Sequence, residues 1–125
     1  MENEISNTII GAAIEVHRTL GGPGLLESIY ESALCYELTQ RGLQIQRQLI
    51  IPVTYKKAII KDPLCLDILV ENKIIIEVKA TEKEHDIHQA QVLTYLRLTN
   101  MKLGLVINFG KKCVKDGIHR VVNGL

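Results

Sequence analysis

Two apolar runs divided by a short turn, Leu66-Asp67-Ile68-Leu69-Val70 and Ile74-Ile75-Ile76-Glu77-Val78-Lys79, constrain the fold of this chain more than any other feature. Both read as buried strands, yet together they carry an Asp, a Glu and a Lys. Side chains alternate faces along a strand, so Glu77 and Lys79 project to one side and Val78 to the other. Burying a lone charge is costly, so these three must be paired, solvated in a cleft, or bound to an ion.

The flanking sequence predicts layers around these strands. Ile9, Ala13, Val16 and Leu20 make a helical stripe over residues 5–20, which Gly21-Gly22-Pro23-Gly24 breaks. A second helix is expected from about Leu25 to Gln40, with Leu26, Ile29, Ala33, Leu34 and Leu38 inward and Gly42 as its C′ residue. Val53, Tyr55, Ile59 and Ile60 lie in β-favouring runs, and Pro52 suggests an edge strand or bulge there. Strands follow at Leu64–Val70 and Lys73–Ala80, joined by Glu71-Asn72, because Asn tolerates the left-handed region of a tight turn. Glu84–Thr99 reads as a helix with Ile87, Ala90, Leu93 and Leu96 in register. Met101–Phe109 reads as a strand buried on both faces, and Gly117–Val122 as a short last strand. The order is helix, helix, three strands as a meander, helix, strand, strand: an α/β sandwich around a mixed sheet. No repeat, linker or low-complexity tract divides the 125 residues, so one domain over 1–125 is expected.

Composition narrows the chemistry. At 46% hydrophobic and 23% charged residues, the chain has neither the charge excess of disorder nor a run long enough to span a membrane. The acidic start, Met1-Glu2-Asn3-Glu4, lacks the basic and apolar regions of a signal peptide, and a cytoplasmic location is expected. Three widely spaced cysteines without a C-x-x-C pair argue against disulfides and thiolate zinc. No Walker A loop, dinucleotide fingerprint or G-x-S-x-G elbow is present, and Pro23 removes an N–H donor from the one glycine-rich stretch. A net charge of +1 contrasts with the strong basicity common in proteins that grip nucleic acid.

What remains is Asp67, Glu77 and Lys79. Hairpin-linked strands can bring Asp67 beside Glu77, and two carboxylates with the Val78 carbonyl form a hard-oxygen set suited to Mg²⁺ or Mn²⁺ rather than zinc. Lys79 would then orient or help deprotonate a water, or stabilise charge on a phosphate: the toolkit of metal-dependent phosphodiester hydrolysis. An E-x-K taken alone equally describes an ion pair on a solvent-facing sheet. His88, Gln91 and Tyr95 share one helix face, opposite Ala90, Leu93 and Leu96, and could bond the lysine, the water or a phosphate. Glu27, near the start of the second helix, gains from the helix dipole there. Tyr30 reads as a core aromatic whose hydroxyl finds a partner.

Together these segments resemble the GxxExxY family of the PD-(D/E)XK nuclease superfamily. The name-giving motif stands as Gly24-Leu25-Leu26-Glu27-Ser28-Ile29-Tyr30, followed by Asp67-Ile68-Leu69-Val70 and Glu77-Val78-Lys79-Ala80. His88-Gln89-Ala90-Gln91-Val92-Leu93-Thr94-Tyr95-Leu96 and Gly104-Leu105-Val106-Ile107-Asn108-Phe109-Gly110 complete the series, which runs from about Ile5 to Val122. The resemblance implies a restriction-endonuclease-like α/β core: a mixed sheet, built as a three-stranded meander plus a following strand, flanked by helices. It implies Mg²⁺ or Mn²⁺ held by Asp67 and Glu77, with Glu27 reaching in from its helix, and a water-activating Lys79. Gln91 and Tyr95 match the Q-x-x-x-Y motif of exonuclease-like branches. The departure is Lys61-Asp62-Pro63, which puts a proline and an extra acid ahead of Asp67. The expected function is nuclease action on nucleic acid, DNA favoured, with a homodimer as the assembly suited to cutting both strands. The competing expectation is a non-catalytic nucleic-acid- or protein-binding module on the same fold.

Overall fold

Hydrophobic periodicity and turn chemistry set the architecture, seen in a computed structural model that describes residues 1–124. Two helices come first, α1 (Glu2–Thr19) and α2 (Glu27–Gln40). Strand β1 (Ile45–Ile51) follows, then a small hairpin of β2 (Thr54–Tyr55) and β3 (Ala58–Ile59). After β4 (Leu64–Val70) and β5 (Ile74–Lys79) come α3 (Asp86–Thr99), β6 (Leu103–Asn108), a 3₁₀ turn (Val114–Gly117) and β7 (Ile118–Val122).

The main sheet has five strands in the order β1-β4-β5-β6-β7, with β5 and β6 parallel and every other neighbour antiparallel. Because Cβ directions alternate, the sheet feeds two cores. Ile68, Val70, Ile74, Ile76 and Val78 pack with Ile9, Ala13 and Val16 of α1 and Leu34 and Leu38 of α2. Leu69, Ile75 and Val106 pack with Val92 and Leu96 of α3 on the opposite face. Strand β6 is buried throughout, as its uninterrupted apolar run requires. Gly104 on β6 admits α3: a Cβ there would stand 2.5 Å from Val92 Cγ1. Among the described residues no helix is long and apolar enough to cross a membrane.

Helix α2 ends as expected. Gly42 takes φ +83°, its N–H bonds the Thr39 carbonyl, and the Leu43 N–H bonds the Leu38 carbonyl, a Schellman closure. The Glu71-Asn72 turn places both residues in the left-handed region.

Four expectations are corrected. Leu26 and Ile29 are exposed, Leu26 by 71%, because α2 begins only at Glu27; its inward face is Tyr30, Glu31, Leu34, Cys35 and Leu38. Leu20 lies past the end of α1 and is exposed. The first strand of the meander is Ile45–Ile51, whereas the run from Val53 to Ile60 folds back on itself around Lys56 and Lys57, both left-handed. On α3 the buried stripe is Val92 and Leu96, with Leu93 and Tyr95 partly covered; Ile87 is 66% exposed and Ala90 also faces out. Two apolar stripes share Leu96 on that helix, and contact with Gly104 selects the one containing Val92.

Candidate active site

Strands β4 and β5 pair over Ile68↔Ile76, Leu69↔Ile75 and Val70↔Ile74, and then they part. Beyond this point β4 stays with β1 as far as Leu64, while β5 stays with β6 as far as Lys79, opposite Asn108. The result is a fork. Its first unpaired positions are Asp67 on one prong and Glu77 on the other. Backbone N–H groups left without a ladder partner must find another acceptor. The Val78 N–H donates to Asp67 Oδ2 at 2.9 Å, and the Asp67 N–H approaches Glu77 Oε1 at 3.4 Å. The Lys79 carbonyl accepts from Phe109 on the β6 side. Strand alternation therefore turns both backbone groups of Val78 the other way, into the fork.

The electrostatics follow from the crowding of acids. Glu77 is 5% exposed, and burial first, then the neighbouring Asp67 charge, pushes its carboxyl up to about 8. Burial also raises Asp67, against the opposing pull of the Val78 N–H. Glu27, in the first turn of α2, is raised by burial and by the charges of Asp67 and Glu31, with Lys79 opposing. Among the described residues no Lys, Arg or His forms an ion pair with Asp67 or Glu77. Lys79 favours their charged forms only through space.

Two adjacent, mutually repelling carboxylates with a backbone carbonyl beside them fit a hard divalent cation. Among the described residues, however, no three His, Cys, Asp or Glu side chains gather closely enough to enclose one. The donor set is therefore that of a site which water and a substrate phosphate complete, the usual habit of Mg²⁺.

Helix α3 borders the carboxylates on one side. Gln91 Nε2 donates to the Tyr95 hydroxyl at 2.9 Å, one helical turn on. The Tyr95 phenol is held above its ordinary range by partial burial and by the Glu77 charge. His88 is pushed down by burial and then by Lys79 and His85. Tyr95 thus lies within the field of Glu77 and His88 within that of Lys79, and Gln91 is tied to Tyr95. Gln91 is exposed; His88 and Tyr95 are half-buried.

The G-x-x-E-x-x-Y segment has a mechanical logic. Tyr30 is fully buried and stacks on Phe109, with ring centroids 4.8 Å apart. Its hydroxyl donates to the Gly22 carbonyl at 2.7 Å and accepts the Leu25 N–H at 3.2 Å. Gly24, at φ +114°, supplies the bend between them. The motif's Gly and Tyr therefore fasten the loop from which Glu27 starts.

Sequence reading missed three residues. Asn108, 2% exposed, accepts the N–H groups of Thr81 and Gly110 and donates to the Thr81 carbonyl, so it pins the chain just after Lys79. A lone Asn in an otherwise apolar strand is the signal that marks it. Glu31 and Gln48 lie behind Asp67. Glu31 is 4% exposed and receives Arg47 Nε at 2.6 Å and Gln48 Nε2 at 3.0 and 3.1 Å. His17 and His119 are engaged elsewhere, His17 with the Lys111 carbonyl and His119 with Glu84 at 2.7 Å, while the His85 ring lies 6.4 Å from that of His88.

A family model described as the PD-(D/E)XK nuclease superfamily matches residues 3–121. No curated protein and no solved structure matches the chain. The five-stranded mixed sheet between helices is the restriction-endonuclease-like arrangement that the resemblance implied.

Proposed function

This chain belongs to the PD-(D/E)XK nuclease superfamily, and we propose that it is a Mg²⁺- or Mn²⁺-dependent nuclease of the GxxExxY type, hydrolysing phosphodiester bonds with DNA as the favoured substrate. The observation that carries this reading is the fork. It sets Asp67 and Glu77 against each other where the strands part, with Lys79 two residues on.

Asp67, Glu77 and the Val78 carbonyl are the oxygens that would hold the cation; Glu27, which does not gather with the two carboxylates into a three-ligand group, would reach it from α2 through a water. A bound Mg²⁺ or Mn²⁺ would supply positive charge to the scissile phosphate and acidify a water beside it. Lys79 orients that water through its ammonium and balances charge developing on the phosphoryl oxygens. Gln91 offers an amide to the same water or to a phosphate oxygen, and Tyr95 and His88 contact the substrate along α3. The water oxygen bonds to phosphorus as the bond to the leaving sugar oxygen breaks. The water's proton goes to solvent, and the leaving oxygen takes one up.

The low net charge is not evenly spread. Residues 50–63 hold Lys56, Lys57 and Lys61 against Asp62, a net +2, while the whole chain carries +1 and the remainder therefore sums to −1. This segment is the β2–β3 arm, which continues the β1–β4 prong beyond the fork; Lys56 at its turn sits 5.5 Å over the ring of Tyr55. A basic arm beside an acidic centre suits a phosphate backbone held at one point and cut at another. Cutting both strands of a duplex would call for two chains related by symmetry.

The test is cleavage of labelled single-stranded and duplex DNA and RNA in Mg²⁺, in Mn²⁺ and in chelator, with Lys79→Ala alongside. Metal-dependent cleavage that Lys79→Ala removes, with its fold intact by circular dichroism, is the expected result. Equal cleavage by the variant would overturn the assignment. The basic β2–β3 arm also suits a second reading, a module that binds nucleic acid without cutting it. Salt-sensitive binding with no cleavage in either metal would select that reading.

A further inference from the structure

We propose that Gln48 and Glu31 are positioning residues that aim the Asp67 carboxylate into the fork; the inference rests on the metal-dependent reading above. Strands β1 and β4 pair from Ile45↔Val70 to Arg47↔Ile68 and again from Leu49↔Leu66 to Ile51↔Leu64, with unchanged register. The missing rung is Gln48 opposite Asp67. No residue is inserted; instead Gln48 adopts φ +52°. The other left-handed non-glycine residues described lie in turns or at a helix end, so Gln48 alone interrupts a strand.

Both strands change face across this rung. Ile45 packs toward α1 and α2, while Leu49 and Ile51 pack toward α3; Ile68 lies on the first side and Leu66 on the second. Residues two apart on an ordinary strand share a face. The reversal turns the Gln48 side chain between α2 and Asp67, and all its polar atoms are used there. One Nε2 N–H is shared between the two Glu31 oxygens, which leaves the other for Asp67 Oδ1 at 3.4 Å, while Oε1 accepts the Cys65 thiol at 3.2 Å.

Glu31 is the anchor. It is the one charged residue on the buried face of α2, otherwise Tyr30, Leu34, Cys35 and Leu38, and Arg47 fixes it from the adjoining strand position. Asp67 is thereby gripped from both prongs, Oδ1 by Gln48 and Oδ2 by the Val78 N–H. Its plane is set before any cation arrives. Partners of this kind typically change metal affinity by about 10–100-fold when removed.

The experiment is calorimetric titration of Mn²⁺ into the parent protein, Gln48→Met, Glu31→Gln and the double variant, with thermal unfolding of each. Gln48→Met keeps the length and removes the donor. It is expected to bind Mn²⁺ about 10-fold or more weakly while remaining folded. If Glu31 acts through Gln48, Glu31→Gln adds no further loss of affinity in the Gln48→Met background; a purely structural role gives losses in stability that leave the affinity of the folded protein unchanged. Parent-like Mn²⁺ affinity in Gln48→Met overturns this inference and leaves the metal-dependent reading standing. Failure of the parent to bind Mn²⁺, alone and with a non-hydrolysable oligonucleotide, overturns both.

Discussion

The same two strands behave differently at their two ends. From Ile68 to Val70, β4 meets β5 backbone to backbone, and the six residues of the three rungs are apolar and buried. One residue further, the backbones separate and carboxylates take over as acceptors for the freed N–H groups. The paired end gains stability by excluding water and leaves no side-chain polar atom to do chemistry. The split end gives up ladder bonds and concentrates acids that disfavour one another's charge. A site of this kind must be carried by its well-packed neighbour, and the two roles divide at a single residue.

The sharpest way to break that contrast is Lys79→Ala. Cleavage is expected to fall about 100- to 1,000-fold, the usual cost of one charge-stabilising donor, with unfolding little changed. Single-turnover rates on the folded variant check it. Ile75→Ala addresses the opposite end. It removes a fully buried side chain packed against α3 and should cost about 2–5 kcal/mol in denaturant unfolding. Cleavage per folded molecule is expected to stay near parental; a collapse in that rate would show that the two ends do not divide the work.

A third test uses pH. Burial and the Asp67 charge raise Glu77 from 4.5 to about 8 in the folded chain. Between those values the folded state keeps a proton that the unfolded state has released, so in chelator stability falls as pH rises through the window. Glu77→Gln should flatten that fall, by up to about 1.4 kcal/mol per pH unit, and divalent cation should counteract it in the parent. Equal slopes for parent and variant in unfolding from pH 5 to 8 would contradict the electrostatic account. The smallest effect is expected furthest from the fork. Lys56→Ala with Lys57→Ala should lower the slope of log affinity against log salt for duplex DNA by about 2, leaving thermal stability unchanged.

How legible each part was depended on contrast with its surroundings. Asp67, Glu77 and Lys79 stood out because a charge in an apolar strand demands a reason, and Gly42 because a helix end needs a left-handed residue. Glu31 was hidden: a Glu in a helix is normally solvated, and only the tertiary packing of α2 on the sheet buries it. Gln48 lay in Gln46-Arg47-Gln48, whose polarity also concealed the strand that opens the meander. Its left-handed backbone is imposed by partners distant in sequence, so no local propensity could announce it. On α3, Ile87 and Ala90 offered a helical stripe as good as the true one, and Gly104 across the interface decided between them.

The prongs of the fork are secured by different neighbours: β1–β4 by Glu31 of α2, which Arg47 of β1 holds, and β5–β6 by Asn108 and by α3 seated on Gly104. Descendants of this gene therefore have two largely separate fields in which to vary. On the proposed function, changes along the Lys56–Lys57 arm would retune what is gripped, and changes along His88, Gln91 and Tyr95 would retune how it is handled. Tyr95 alone of these packs against the cluster that holds Leu69 and Ile75 of the three rungs, so it is the position where the second field is tied to the frame.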